Sequence, residues 1–220
     1  MSDKKASPKS VQIVFLQPDG SSTNGPLISL EADAPTWQFN EESWDKDRAI
    51  REFHTFLQAG DDNGVEAARL AIKRHGCWHE ALSPILQFPG PDESIGQRVF
   101  ALWISYGFGI ARSMNDNHLI IAEVLKHLLP PYKGPGLTLY RGQSKAHYDE
   151  HWYGFSWTPK LESARNYSAW HRKDGCHGVV LRIDATPEMI VAAPNEHSSG
   201  IGDYEYVLDP KLLKGISVVA

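Results

Sequence analysis

A proline pair, Pro130-Pro131, followed by Gly134 and Gly136, cuts this 220-residue chain into two stretches of different patterning, and that cut limits its folding more than any other feature. Proline has no amide hydrogen for a helical bond, so two in succession end a helix. Before the cut, apolar residues recur at helical spacing; after it they gather in short β-type runs bounded by glycine and polar turns. Helices followed by strands, rather than strict alternation, predict an α+β fold. Residues 1–10 read as a disordered tail, 11–133 as a mainly helical region and 134–220 as a strand-rich region. The linker is short and lacks a long polar flank, so the last two are expected to form one unit.

Within the first region, Val11 to Leu16 reads as a short strand, ended by Pro18-Asp19-Gly20 and a polar turn region from Ser21 to Pro26. From Ser43, a candidate cap, the spacing of Trp44, Ile50, Phe53, Phe56 and Leu57 predicts a helix. Gly60 stops it, Asp61-Asp62 start a second helix over Val65 to Lys73, and Gly76 closes that one. Trp78 to Leu86 forms a third, short helix before the break at Phe88-Pro89-Gly90-Pro91. Asp92 or Ser94 opens a longer helix to about Ser113, and Asn115 or Asp116 another to Leu129. No internal repeat is visible.

Composition fits a folded domain, with 41% hydrophobic and 22% charged residues. A formal net charge of −5 argues against a broad electrostatic platform for nucleic acid, although it leaves room for a local basic cleft. No apolar run approaches the roughly 20 residues of a membrane span. The polar start followed by only Val11 to Leu16 gives no secretory signal, and Cys77 and Cys176 stand too far apart to suggest a metal or redox pair. The expected setting is a reducing cytoplasm, that of the cell itself or of a host, with no membrane partner.

The chemistry-bearing residues cluster in the strand-rich region. Tyr140-Arg141-Gly142 closes one expected strand, Ser156-Trp157-Thr158 lies in a second, and Asp203-Tyr204-Glu205-Tyr206-Val207-Leu208 forms a third. Arginine grips phosphate oxygens in pairs and stays charged at any working pH. A nearby glutamate can stabilise an oxocarbenium-like carbon and hold sugar hydroxyls. A cation, a hydroxyl pair and a carboxylate on neighbouring strands therefore suit pyrophosphate binding beside a reacting anomeric carbon. Each piece also has an ordinary reading: a surface arginine before a turn, a cross-strand hydroxyl pair, and a glutamate on the wet face of an alternating strand.

In their order, these residues resemble the mono-ADP-ribosyltransferases, whose signature is arginine, then serine-x-serine or threonine, then glutamate. The resemblance covers roughly Leu137 to Ala220 and includes Glu205-x-Val207-Leu208-x-Pro210, similar to the third motif of that family. It implies a split β-sandwich around an NAD cleft, with a helical region at the N-terminal side. It implies that Arg141 contacts NAD phosphate or ribose, that Ser156 positions Glu205, and that Glu205 is the catalytic carboxylate. Gly154 to Pro159 and Ser163 to Tyr167 resemble the strand and helix enclosing nicotinamide; by that likeness Tyr167 stacks on the ring, Gly142 backbone atoms bind its carboxamide, and Thr158 belongs to the binding set. NAD is the implied co-substrate, and no metal is implied.

One position departs from the pattern. Arginine-modifying members carry glutamate two residues before the catalytic one, where this chain has Asp203. On a strand the two would share a face, so Asp203 is a candidate general base toward an acceptor. The segment Asn195 to Gly202 reads as a mobile acceptor-side loop, with His197 as its titratable group, or as a plain connector. His147 and His151 stand at helical metal-ligand spacing without a third ligand. Tyr148 and Trp152 are candidates to cover adenosine, whereas Trp37, Trp44, Trp78 and Trp103 read as core anchors.

The expected function is transfer of ADP-ribose from NAD to a macromolecular acceptor, protein or nucleic acid. By likeness to small relatives this would be the work of a bacterial or phage toxin or effector, with a possible neutralising partner protein. Two alternatives stand beside it: an NAD glycohydrolase, and an inactive binding module whose helices dock a partner.

Overall fold

The architecture, taken from a computed structural model, is described for residues 10–16, 22–29, 39–114, 119–173, 177–200, 202 and 204–219. Within the unit Met1–Asn40, strands β1 (Ser10–Leu16) and β2 (Ser22–Ser29) pair antiparallel. The first of these was expected; the second covers residues read as a turn. Its register shifts between Gln12 and Val14, opposite the place where Gly25-Pro26 interrupts the pairing, which is how a strand accommodates a proline. Of the expected tail 1–10, Ser10 instead begins β1, and residues 1–9 lie outside the described residues, as does the core role of Trp37.

The second unit, Glu41–Ala220, contains all remaining elements, so the division falls at Asn40 and the helices belong with the later strands. Helix α1 (Lys46–Ala59) is capped by Asp45, whose carboxylate accepts from the Arg48 amide at 2.8 Å. Ser43, the expected cap, instead lies in a 3-10 turn, and Trp44 is buried just outside the helix. Helix α2 (Asp62–His75) starts on Asp61, which accepts from the Gly64 amide at 3.0 Å. Gly60 and Gly76 end the two helices at φ 72° and 63°, a left-handed conformation that costs a residue with a side chain about 1 kcal/mol or more.

Helix α3 (Trp78–Leu82) is shorter than expected because the chain tightens into a 3-10 turn over Ser83–Gln87, where Pro84 has no amide hydrogen to continue the α ladder. Asp92 caps the long α4 (Glu93–Ser113) through the Ile95 amide at 3.1 Å. Helix α5 (Leu119–Leu128) ends before Pro130; its expected start at Asn115 or Asp116 lies outside the described residues. Facing sides bury Phe53, Leu57, Ile72, Trp78, Phe100, Ile121, Leu125 and Leu128 completely or nearly so. Burial of each such large side chain is worth about 1.5–3 kcal/mol.

The later strands form two small sheets. One is ordered β3 (Leu137–Ser144), β5 (Gly178–Ala185), β8 (Ser217–Val218); the other is β4 (Ser156–Trp157), β7 (Tyr206–Leu208), β6 (Ile190–Ala192). All pairings are antiparallel, and with the helices they make the chain α+β, as expected. Leu139, Trp157, Leu181, Ile183, Met189, Ile190 and Leu208 bring the two sheets onto one core cluster. A single bridge, Tyr140 to Thr158, ties β3 to β4 through hydrogen bonds of 2.7 and 2.9 Å. Helix α7 (Leu161–Lys173) packs on β3 and β5, and α5 packs on β6.

Candidate functional site

The bridge at Tyr140 and Thr158 determines what lies beside it. Ladder pairing stops there, and the next residue of β3, Arg141, reaches across instead: its Nη1 donates to the Ser156 carbonyl at 2.7 Å and its Nε to Gln143 Oε1 at 3.3 Å. Both acceptors are neutral. The guanidinium also stacks close to Gly154, where any side chain would occupy its place. Burial pushes the Arg141 pKa down, while the charges of Glu205 and Tyr167 oppose that shift. Arginine starts so high that it stays protonated, leaving a desolvated cation in the wall of a cleft.

Strand β3 runs on past Gly142 to Ser144, so Tyr140-Arg141-Gly142 lies within the strand rather than closing it. A Cβ on Gly142 would collide with the Ala164 carbonyl and the Ser168 amide of α7. The absence of a side chain therefore sets the close approach of α7 to β3, and with it the position of Tyr167. That ring is 48% exposed and lines the cavity, so it is not a core residue. Thr158 is buried and its Oγ1 accepts from the Lys160 amide at 3.1 Å, holding the turn into α7.

Glu205 differs from the expected picture. Strand β7 begins only at Tyr206, and Tyr204 has φ 48°, so Tyr204 and Glu205 stand before the strand rather than alternating within it. Asp203 itself lies outside the described residues. The Glu205 amide donates to Ser198 Oγ at 2.7 Å, and the carboxylate Oε1 accepts from Trp103 Nε1 at 2.8 Å. The same Trp103 N–H lies 2.8 Å from Ser156 Oγ.

The segment read as a mobile loop contains a short helix, α8 (Glu196–Gly200), anchored to α4. Asn195 accepts from the Ser198 amide at 2.9 Å and donates to Gln97 at 2.9 Å, and His197 Nε2 lies 2.8 Å from Ser105 Oγ. The capping reach of an asparagine three residues before Ser198 is the physical reason this small-residue run is helical.

Around these groups is a cavity of about 590 Å³, walled by α4 from Trp103 to Ala111, by β3 and β4, and by α7. Arg141, Gly142, Ser156, Thr158, Tyr167 and Glu205 all line it. Arg69, Lys73 and His147 add further positive or titratable groups, with Glu205 the carboxylate in the wall. Phe108 and Trp170, 73% and 60% exposed, face each other from α4 and α7 at a centroid distance of 6.3 Å.

Other sequence expectations separate here. Trp152 lines the cavity with His147, their rings 4.6 Å apart, but Tyr148 packs on the sheet core and near Tyr153. Helix α6 (Lys145–Asp149) ends before His151, which has φ 55°, so His147 and His151 do not share a helical face. Among the described residues no group of three or more His, Cys, Asp or Glu is placed to hold a metal ion, and no helix is long and apolar enough to cross a membrane. Cys77 is buried and its thiol pKa is raised by burial; Cys176 lies outside the described residues.

Trp103 is buried, as expected of a core anchor, with its ring 4.8 Å from Phe155, and its polar edge also lines the cavity, which sequence reading did not foresee. The available signal was general: a buried indole N–H requires an acceptor, and an apolar helix face offers none. No family model matches the chain, and neither a curated protein nor a solved structure matches it.

Proposed function

We propose that the chain is a mono-ADP-ribosyltransferase that moves ADP-ribose from NAD to a macromolecular acceptor, with its two sheets acting as that family's split sandwich around the NAD cleft. The observation that carries this reading is convergence. Arg141, Ser156 and Glu205 are distant in sequence, yet they line one 590 Å³ cavity and are linked by hydrogen bonds through the Ser156 carbonyl and Trp103. A surface arginine, a solvent-face hydroxyl and a wet-face glutamate would have no reason to meet. The cavity size suits a dinucleotide's reactive half, within the usual range for small-molecule sites.

Arg141 holds the pyrophosphate: its hydrogen-bond acceptors, the Ser156 carbonyl and Gln143, are neutral, so its guanidinium can pair with phosphate oxygens. Tyr167 and the Gly142 backbone flank the nicotinamide. Glycosidic cleavage releases nicotinamide and leaves positive character on the ribose carbon. Glu205 stabilises that charge from a fixed position, which costs no reorganisation as the charge develops. Ser156 shares with Glu205 the donor that orients it. Asp203 is retained as the candidate base toward the acceptor, and a toxin or effector role, restrained by a neutralising partner, as the biological setting.

Release of nicotinamide from NAD, measured by chromatography, tests the reading. The wild type should release it and Glu205→Gln should not, while both bind NAD with similar affinity. Absence of both binding and release in the folded wild type would replace this reading with that of an inactive binding module.

A further inference from the structure

Glu205 stands just before β7, which starts one residue later, and the preceding Tyr204 is left-handed. The backbone amide is held by Ser198, and the carboxylate by Trp103 of α4, 102 positions away in sequence. The same helix secures the preceding segment through Gln97 to Asn195 and Ser105 to His197. Helix α4 is thus the surface on which the segment carrying Glu205 is mounted.

We infer that Trp103 is a positioning residue of the transfer site, its single indole N–H fixing the Glu205 carboxylate and the Ser156 hydroxyl relative to each other. This rests on the catalytic reading of Glu205 given above. The indole Nε1 lies 2.8 Å from both oxygens, so one donor spans two acceptors, one on β4 and one in the segment just before β7. Indole only donates; it neither accepts nor exchanges a proton, so Trp103 orients the carboxylate without competing for acid or base chemistry. Its ring is clamped against Phe155 and only 8% exposed, so the donor direction is fixed by packing. A hydrogen bond to a charged acceptor from such a position is among the stronger kinds. Helix α4 is therefore part of the site.

Trp103→Phe retains an aromatic ring against Phe155 and removes the N–H. The expected result is a loss of about tenfold or more in kcat for nicotinamide release, with KM for NAD within about twofold. In a Glu205→Gln background the same substitution should add little, because residues acting as a unit are not additive. A measurement independent of turnover accompanies it: the indole resonance of Trp103, assigned by its disappearance in Trp103→Phe, should move upfield on Glu205→Gln as a charge-assisted bond becomes a neutral one. A wild-type kcat in Trp103→Phe, or an indole resonance indifferent to Glu205→Gln, would overturn the inference. If the wild type neither binds nor cleaves NAD, the reading of the site fails, and the resonance still decides whether Trp103 holds the carboxylate.

Discussion

Arg141 and Ser156 are joined by a 2.7 Å hydrogen bond from Nη1 to the backbone carbonyl, at the point where the two sheets stop pairing. The bond uses one arm of a planar fork and leaves the others to the cavity and Gln143. Lysine has one point of charge and cannot do both. Arg141→Lys should therefore weaken NAD binding by about tenfold or more, measured by calorimetry, and Arg141→Ala should abolish it. Unchanged affinity in Arg141→Lys would mean that the guanidinium is only a sheet fastener.

Two glycines near this arginine should behave differently when given a methyl group. At Gly142 the new atom meets the backbone of α7, which cannot move without unpacking the helix, so Gly142→Ala should cost about 1–3 kcal/mol in denaturant unfolding. At Gly154 the nearest atoms it meets are those of the Arg141 guanidinium, the end of a flexible side chain. Gly154→Ala should leave stability within about 1 kcal/mol and reduce NAD binding by displacing Arg141.

Asp209 lies between the second sheet and α5, its side chain 7% exposed, with Lys126 Nζ at 2.6 Å and the Lys211 amide at 2.9 Å. Burial raises its pKa, but the Lys126 and Lys211 hydrogen bonds outweigh this and the folded-state value is lowered. A carboxylate depressed on folding contributes stability above its unfolded pKa of about 3.9, and this is lost as pH falls through the folded value. Lys126 is 63% exposed, so solvent limits the effect. Asp209→Asn should cost about 1 kcal/mol at pH 7, and the difference from wild type should close below pH about 4. A constant difference across that range would assign the effect to packing.

Much of this was legible in the sequence where the physics is local. Gly60 and Gly76 signal helix ends by permitting positive φ, Asp61 and Asp92 signal starts by reaching back amides, and Pro130-Pro131 forbids continuation. The three motifs supply Arg141, Ser156 and Glu205, all of which line the cavity. What failed depended on distant partners. Glu205 looked like a strand residue because Tyr204 and Tyr206 alternate with it, and nothing local shows that Tyr204 turns left-handed. Residues 195–202 looked like a loop because their small polar residues are loop formers; the helix there is stabilised by an Asn195 cap and by Gln97 and Ser105 on α4. Trp103 reads as a core anchor and is buried as one; burial and hydrogen bonding are separate properties of an indole, and only the fold shows which oxygens its N–H meets.

The most direct test of the account is incubation of the purified protein with NAD labelled in its adenylate half and a cell lysate, followed by separation of protein and nucleic-acid fractions, with Glu205→Gln as the control. The account predicts label in one macromolecular fraction with the wild type and none with Glu205→Gln. Free ADP-ribose without labelled macromolecule would make water the acceptor and the protein a glycohydrolase, and equal labelling by the two proteins would contradict the role given to Glu205.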